Sequence, residues 1–506
     1  MIRPLLALLS LFVAVPAALI AADAIAAPAP SAAALAEQAL AAQGGRATLQ
    51  AVKLVQLRGI IHRQALEQSV RPEGPYFEAV SDFTETRRFA DPALRQKLTS
   101  RGFLGSWWVK PDWSDSETLV TGGAALAWRG GKWASGSQAG VEVAEESLAL
   151  GPERVLLTAL AANDLSIGVP GQLHGFAHDT LRFSFHGACV TLLLIPESHL
   201  IAAVDIVEAH PLDIFLAPWG DVRTHIEWGA WTLEPNGIRY PRQWTIDING
   251  GRERSVLIDA VAFDPAIDAT LLAGDADTIA AARQGVRAIA DIPFSTARSL
   301  EPAPGITLVQ GAWNVVVVKG TDGVTLIEAP ISGNFAKGAL DHARALGPVR
   351  RVITTSDSWP HIAGLREVVA EGVPLVLLDR NKPVIERLLA APHTLSPDSL
   401  ARKPAKARLT LVSRPITLGS GDTTMWLVPF HTVTGERQMA IYWPKYKLLY
   451  TSDLMNVQLD AVWLPQYRDE VAELIARERL DVETVFGMHY APIAWAKVRM
   501  LPGVAG

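Results

Sequence analysis

Four polar side chains in the last third of the chain each follow an apolar, strand-like run. His361 lies beyond Arg351–Thr355, His431 beyond Met425–Val428, Asp453 beyond Lys447–Tyr450 and His489 beyond Val482–Phe486. Residues at strand ends converge on one rim of a sheet, where a rigid scaffold holds them while the loops vary. Three imidazoles and one carboxylate brought together in this way make a ligand set for zinc or a similar divalent metal, iron or manganese included. The chemistry predicted is hydrolysis by water that one metal activates, with His431 or Asp453 handling the proton.

The elements that must position these residues begin at Ile306, where strands start to alternate with helices. Val315–Val318 is a continuous β-branched run typical of a strand buried on both faces. Thr321-Asp322-Gly323 reads as a hairpin turn and Val324–Ile327 as the return strand. Asn334–Leu346, Ile362–Glu371, Lys382–Leu389 and Tyr467–Arg479 read as helices, and Val373–Leu378, Leu409–Ile416 and Met439–Trp443 as further strands. Two sheets with helices on their outer faces, an αββα sandwich, accommodate this order.

On these motifs, residues 306–506 resemble the metallo-β-lactamase superfamily over nearly their whole length. Ile353–Leu365, ITTSDSWPHIAGL, resembles the family's THxHxDHxGG loop, with Thr355 and Gly364 matching its flanks. Leu326-Ile327-Glu328 resembles the strand that ends in the family's aspartate, with Glu328 at that position. Pro429-Phe430-His431-Thr432, Leu449-Tyr450-Thr451-Ser452-Asp453 and Gly487-Met488-His489 resemble the three later motifs. The resemblance implies a first metal site at Ser356, Ser358 and His431 and a second at Pro360, His361 and His489, with Asp453 between them. Two serines and a proline stand among those positions, so the family's dinuclear centre is not expected. One metal on His361, Asp453 and His489 is, with His431 as fourth ligand or proton carrier; a dead site holding no metal is the alternative. Asp357 is either a replacement carboxylate or the acceptor of an Asx turn, the more usual fate of a loop aspartate. Trp359 either walls the pocket or packs under the loop, and Glu328 either braces the site or caps its strand.

Other candidates carry less. Ser356 and Ser358 have no GxSxG around them, which argues against a serine hydrolase. His174, His178 and His186 are suggestively spaced, but Gly175 and the following strand pattern break any shared helix face. Cys189 is the single cysteine, which excludes an intramolecular disulfide, and it lies in an apolar run as a small buried hydrophobe.

Residues 31–290 read as a separate β-rich α+β domain. An Ala-rich helix, Ala32–Ala42, is stopped by Gly44-Gly45, and runs such as Val222–Trp228 and Trp244–Ile248 alternate with a period of two. This order is weakly similar to the antiparallel half-barrel of periplasmic lipoprotein carriers. The domain holds nine of the fifteen tryptophans, among them Trp107, Trp108, Trp113, Trp128 and Trp133. They fill its core or line a cavity for an apolar ligand. Residues 291–305 read as a proline-punctuated linker.

The whole chain, 506 residues with 49% hydrophobic and 19% charged residues, supports proper cores. Its net charge of -6 and lack of a basic run argue against a nucleic-acid partner. Residues 1–26 read as a cleavable export signal with small-x-small sites at Ala22–Ala24 and Ala24–Ala26, so the expected location is periplasmic or secreted, with no membrane span after cleavage. The expected partner is a small-molecule or lipid-like substrate. A non-catalytic protein that binds a ligand or partner through a degenerate metal site is the competing expectation.

Overall fold

The computed structural model describes residues 31–67, 69–102, 113–432, 436–458, 461–462 and 465–503. The expected export signal at 1–26 and Trp107 and Trp108 lie outside these residues. The protein is mixed α/β with mostly antiparallel sheets. Among the described residues no helix is long and apolar enough to cross a membrane.

Most strands of the first region join one 14-stranded sheet, which runs from Lys132–Ser135 at one edge to Ser166–Ile167 at the other. Leu54–Ala65 and Gly251–Phe263 pair antiparallel near its middle. Alternation builds it: Val55, Leu57 and Ile61 point into the core while Arg58 and Ile60 face out. The register of this pair shifts between Arg58 and Gly59, where a side chain would collide with the Leu257 carbonyl. Helices Ala32–Gln43, Ala139–Leu150 and Val155–Ala161 contribute Leu35, Leu40, Leu150 and Leu156 to the same core. The first helix is capped by Ser31, whose Oγ accepts from Ala34 N at 3.2 Å, and it ends at Gly44 with φ 140°.

Besides the two-stranded pair Val457–Gln458 and Ala461–Val462, the second region holds two larger sheets. One has seven strands: Ser299–Ala303, Ile306–Val309, Val315–Gly320 and Gly323–Ile327 antiparallel, then Val349–Thr354, Leu375–Leu378 and Leu409–Val412 parallel. The other has six, from Ile416–Leu418 to Tyr490–Ala494. Val316, Val318, Ile353 and Val376 of the first share a core with Leu427, Ile441, Tyr450 and Phe486 of the second. Val317, Leu326, Val352 and Leu377 point the other way, onto helices Gly333–Leu346, Leu365–Ala370 and Lys382–Ala390. Strands covered on both faces explain why their sequences are continuously apolar.

Two sequence expectations are corrected. Residues 291–305 are only partly a linker, because Ser299–Ala303 is the edge strand of the seven-stranded sheet. Pro302 misled the reading, yet an edge strand leaves some N–H groups unpaired and so tolerates proline. The single strand expected over Leu409–Ile416 is two, Leu409–Val412 and Ile416–Leu418, placed in different sheets with Pro415 between them.

Candidate metal centre

Strand Val349–Thr354 ends in a run of buried polar residues, Thr354 to Ser358, and a short helix, Trp359–Ile362, then carries His361 inward. Pro360 sits in the first turn of that helix, where its missing N–H costs nothing. Asp453 follows strand Leu448–Tyr450 and His489 follows Thr484–Gly487, two strands that pair in parallel. Their C-terminal ends therefore open on the same rim.

One ligand atom from each of His361, Asp453 and His489 lies within 4.8 Å of the others. His489 Nε2 is 2.6 Å from Asp453 Oδ1, and His361 Nδ1 is 3.5 Å from Asp453 Oδ2. His361 Nδ1 is buried without a hydrogen-bond partner. The side chains of His361 and Asp453 are 1% and 0% exposed and that of His489 is 20% exposed, so the group reaches solvent on the His489 side. Trp313 stands edge-on to the His361 ring, 6.0 Å between centroids. Asp453 N donates to Gln438 Oε1 at 3.2 Å, and Asn314 Nδ2 donates to the Gly487 carbonyl at 2.9 Å, which fixes the turn before His489.

His431 stands apart from this group. It is exposed, in the loop after strand Met425–Pro429, and is not among the three convergent donors. The structure does not bring it together with the expected ligands; Phe430, the residue before it, is the one that points into the core.

The serines and Asp357 have definite partners. Ser358 N donates to Ser356 Oγ at 3.1 Å, tightening the loop on itself. Asp357 turns away from the three donors toward Arg437, whose Nε lies 3.1 Å from Asp357 Oδ1 with both side chains buried. Thr355 Oγ1 donates to Glu328 and lies 2.7 Å from Ser452 Oγ, and Tyr450 OH donates to Glu328 Oε1 at 3.3 Å. Glu328 thus braces the strand ends from below, and does so at φ 73°.

The residue that sequence reasoning missed comes from the first region. Glu67 Oε2 accepts from Trp359 N at 2.8 Å and from Ser358 Oγ at 3.2 Å, holding the first turn of the helix that carries His361. Trp359 packs edge-on against Trp219, 5.1 Å between centroids, and both line a cavity of about 520 Å³. The Asp221 carboxylate also crosses between the regions, accepting from Thr394 N at 2.8 Å and Leu395 N at 2.9 Å. No motif marks Glu67; a lone glutamate after a strand carries no periodic or spacing signal.

Burial sets the protonation states. It pushes the carboxyls of Glu67 and Glu328 up to about 8 and Asp357 to about 6, the last against the pull of Arg437. Burial drives the His361 imidazole down to about 3, so it is neutral, the form in which an imidazole binds a metal. Burial also works against an ionised Asp453, but the facing His361 and His489 rings and Arg437 outweigh it and hold that carboxyl below its usual value. At neutral pH, Glu67 and Glu328 keep their protons, Asp357 is paired with Arg437, and Asp453 remains as a buried anion facing two imidazoles. That donor set fits one divalent cation.

No family model and no curated protein matches the chain. Solved structures do. DIM-1 metallo-β-lactamase is 15% identical with a TM-score of 0.31, over 39% of this chain and 92% of that one. The metallo-β-lactamase from Pontibacter korlensis is 14% identical with a TM-score of 0.31, over 39% and 94%. The stereoselective inverting sec-alkylsulfatase Pisa1 from Pseudomonas sp. is 18% identical with a TM-score of 0.31, over 40% of this chain and 39% of that one. These are neighbours of part of the chain at low identity.

Proposed function

We propose that this protein is an exported hydrolase whose second region, an αββα sandwich of metallo-β-lactamase type, holds one divalent metal on His361, Asp453 and His489. The observation that carries the reading is the buried convergence of these three donors, with an unpartnered nitrogen on His361 aimed at the Asp453 carboxylate. Zinc suits two imidazoles and one carboxylate, as do iron and manganese. A cation there supplies a Lewis acid that makes water more acidic and polarises a carbonyl or phosphoryl oxygen.

The chain's own residues orient and shield. Asp453 and His489 share a hydrogen bond at 2.6 Å, which a cation held by both would replace, and the His489 ring opens the site to solvent. Glu67 positions His361 through the Trp359 amide. Trp313 excludes water from the buried side of His361. The substrate is a small molecule approaching past His489.

Metal analysis tests this directly. Protein purified after supplementation with zinc, iron or manganese is expected to hold about one equivalent. The His361→Ala and His489→Ala variants are expected to lose it, together with hydrolysis of carboxyl- and phosphoryl-ester probes. Less than about a tenth of an equivalent in the wild type sinks the reading.

One observation favours a second reading. The buried Arg437 guanidinium, ion-paired with Asp357 and near Asp453, already supplies positive charge to this rim. A metal-free protein that binds a ligand or partner is consistent with that, and it predicts that His361→Ala and His489→Ala leave biological activity intact.

A further inference from the structure

A second group of convergent donors lies in the first region. Helix Ala139–Leu150 places Glu142 and Glu146 one turn apart on one face. Strand Ile201–Glu208 ends in Glu208, and His210 follows two residues later. One ligand atom from each of Glu146, Glu208 and His210 lies within 4.8 Å of the others.

The histidine marks this as more than an acidic patch. Its side chain is 5% exposed, and its Nε2, 3.8 Å from Glu208 Oε1, has no hydrogen-bond partner; Glu208 Oε1 has none either. The other ring nitrogen, Nδ1, lies 3.5 Å from Glu142 Oε2, and Glu142 Oε1 accepts from Leu212 N at 2.8 Å. The buried ring thus stands between two carboxylates, with its unpartnered Nε2 on the Glu208 side. Arg254 is the nearby cation, and its Nε lies 2.5 Å from Glu253 Oε2.

We propose that Glu146, Glu208 and His210 form a second divalent-cation site, of the zinc or manganese class, in the wall of the first region's apolar cavity. Binding of a divalent cation displaces any proton the three side chains carry: carboxylate–metal and imidazole–metal bonds form, the O–H and N–H bonds break, and the protons leave to solvent. The imidazole selects against calcium and magnesium, which take oxygen ligands. The same cavity is lined by Leu57, Phe83, Trp228 and Trp244 together with Glu85, Arg87 and Arg254, so the cation would sit where apolar and charged surface meet.

The test uses the full chain with the other candidate centre removed. The His361→Ala/His489→Ala protein, stripped of metal, is titrated with zinc and with manganese alone. About one equivalent is expected to bind, and adding His210→Ala or Glu208→Gln is expected to weaken binding at least tenfold, with the circular dichroism spectrum unchanged. Absence of binding, or binding that neither substitution weakens, overturns the proposal. If His210→Ala fails to fold, anomalous diffraction from wild-type crystals soaked in zinc decides. A peak among Glu146, Glu208 and His210 supports the site, and a peak at His361, Asp453 and His489 alone, or none, overturns it.

Discussion

Each half of the molecule buries an arginine, and the surroundings of the two differ. Arg87 lies on a strand of the large sheet between Glu85 at 2.7 Å and Glu153 at 3.0 Å, and Tyr240 OH adds a hydrogen bond to Glu153 at 3.1 Å. That cluster is closed on itself. Arg437 instead faces Asp357 at 3.1 Å, in a rim that also buries Asp453, Glu67 and Glu328. Asp357 pairs with that guanidinium and Asp453 feels its charge, while burial holds Glu67 and Glu328 above the usual carboxyl range. A closed cluster of the first kind holds a fold together. In one of the second kind, burial works against ionised carboxyls that few facing charges support.

The sharpest break of this comparison removes each arginine in turn. Arg87→Met leaves Glu85 and Glu153 buried without a counter-charge and is expected to cost at least about 3–5 kcal/mol, read by denaturant unfolding. Arg437→Met is expected to cost less and to do so conditionally. Asp357 already sits near 6 and rises further without its partner, so a proton replaces the guanidinium and the loss shrinks as pH falls below about 6. Equal, pH-independent losses at both positions contradict the distinction.

Glu67→Gln sharpens it through pH. In the folded protein Glu67 titrates near 8, against an ordinary value of 4.5. The stabilisation its proton confers is fully present below the ordinary value and is lost as pH rises through about 8. Glutamine cannot ionise, so the variant is expected to melt higher than the wild type above pH 8 and to converge with it below the ordinary carboxyl value. A melting difference that does not change with pH removes Glu67 from the titrating set. The smallest effect is expected from His431→Ala, which leaves metal retention unaltered because the side chain is exposed and outside the three donors. Loss of bound metal in that variant would bring the histidine back into the centre.

What the sequence made legible follows from what is local in it. His361, Asp453 and His489 were placed together because each ends an apolar run, and strand ends share a rim. His431 satisfied the same rule and still faces solvent, because a strand end fixes where a loop starts and leaves open which of its residues turns inward; here Phe430 does. Glu67, Arg437 and the Asp357 pairing were not legible, since each depends on a contact between segments far apart in sequence. The edge strand at Ser299–Ala303 was hidden by Pro302, whose meaning depends on whether a neighbour pairs on that side. In the large sheet, alternation marked runs such as Val222–Trp228 and Trp244–Ile248, but most of its strands and the Glu146, Glu208 and His210 convergence carried no such signal.

The bond from Glu67 to the Ser358–Trp359 turn spans 291 residues to the serine and 292 to the tryptophan. Contacts of that separation close late, after both regions have collapsed on their own local pairings. A chain emerging from its N-terminus therefore carries Glu67 long before the loop it holds exists. The turn that carries His361 therefore gains its tether only once the two regions have met, and neither half is finished without the other.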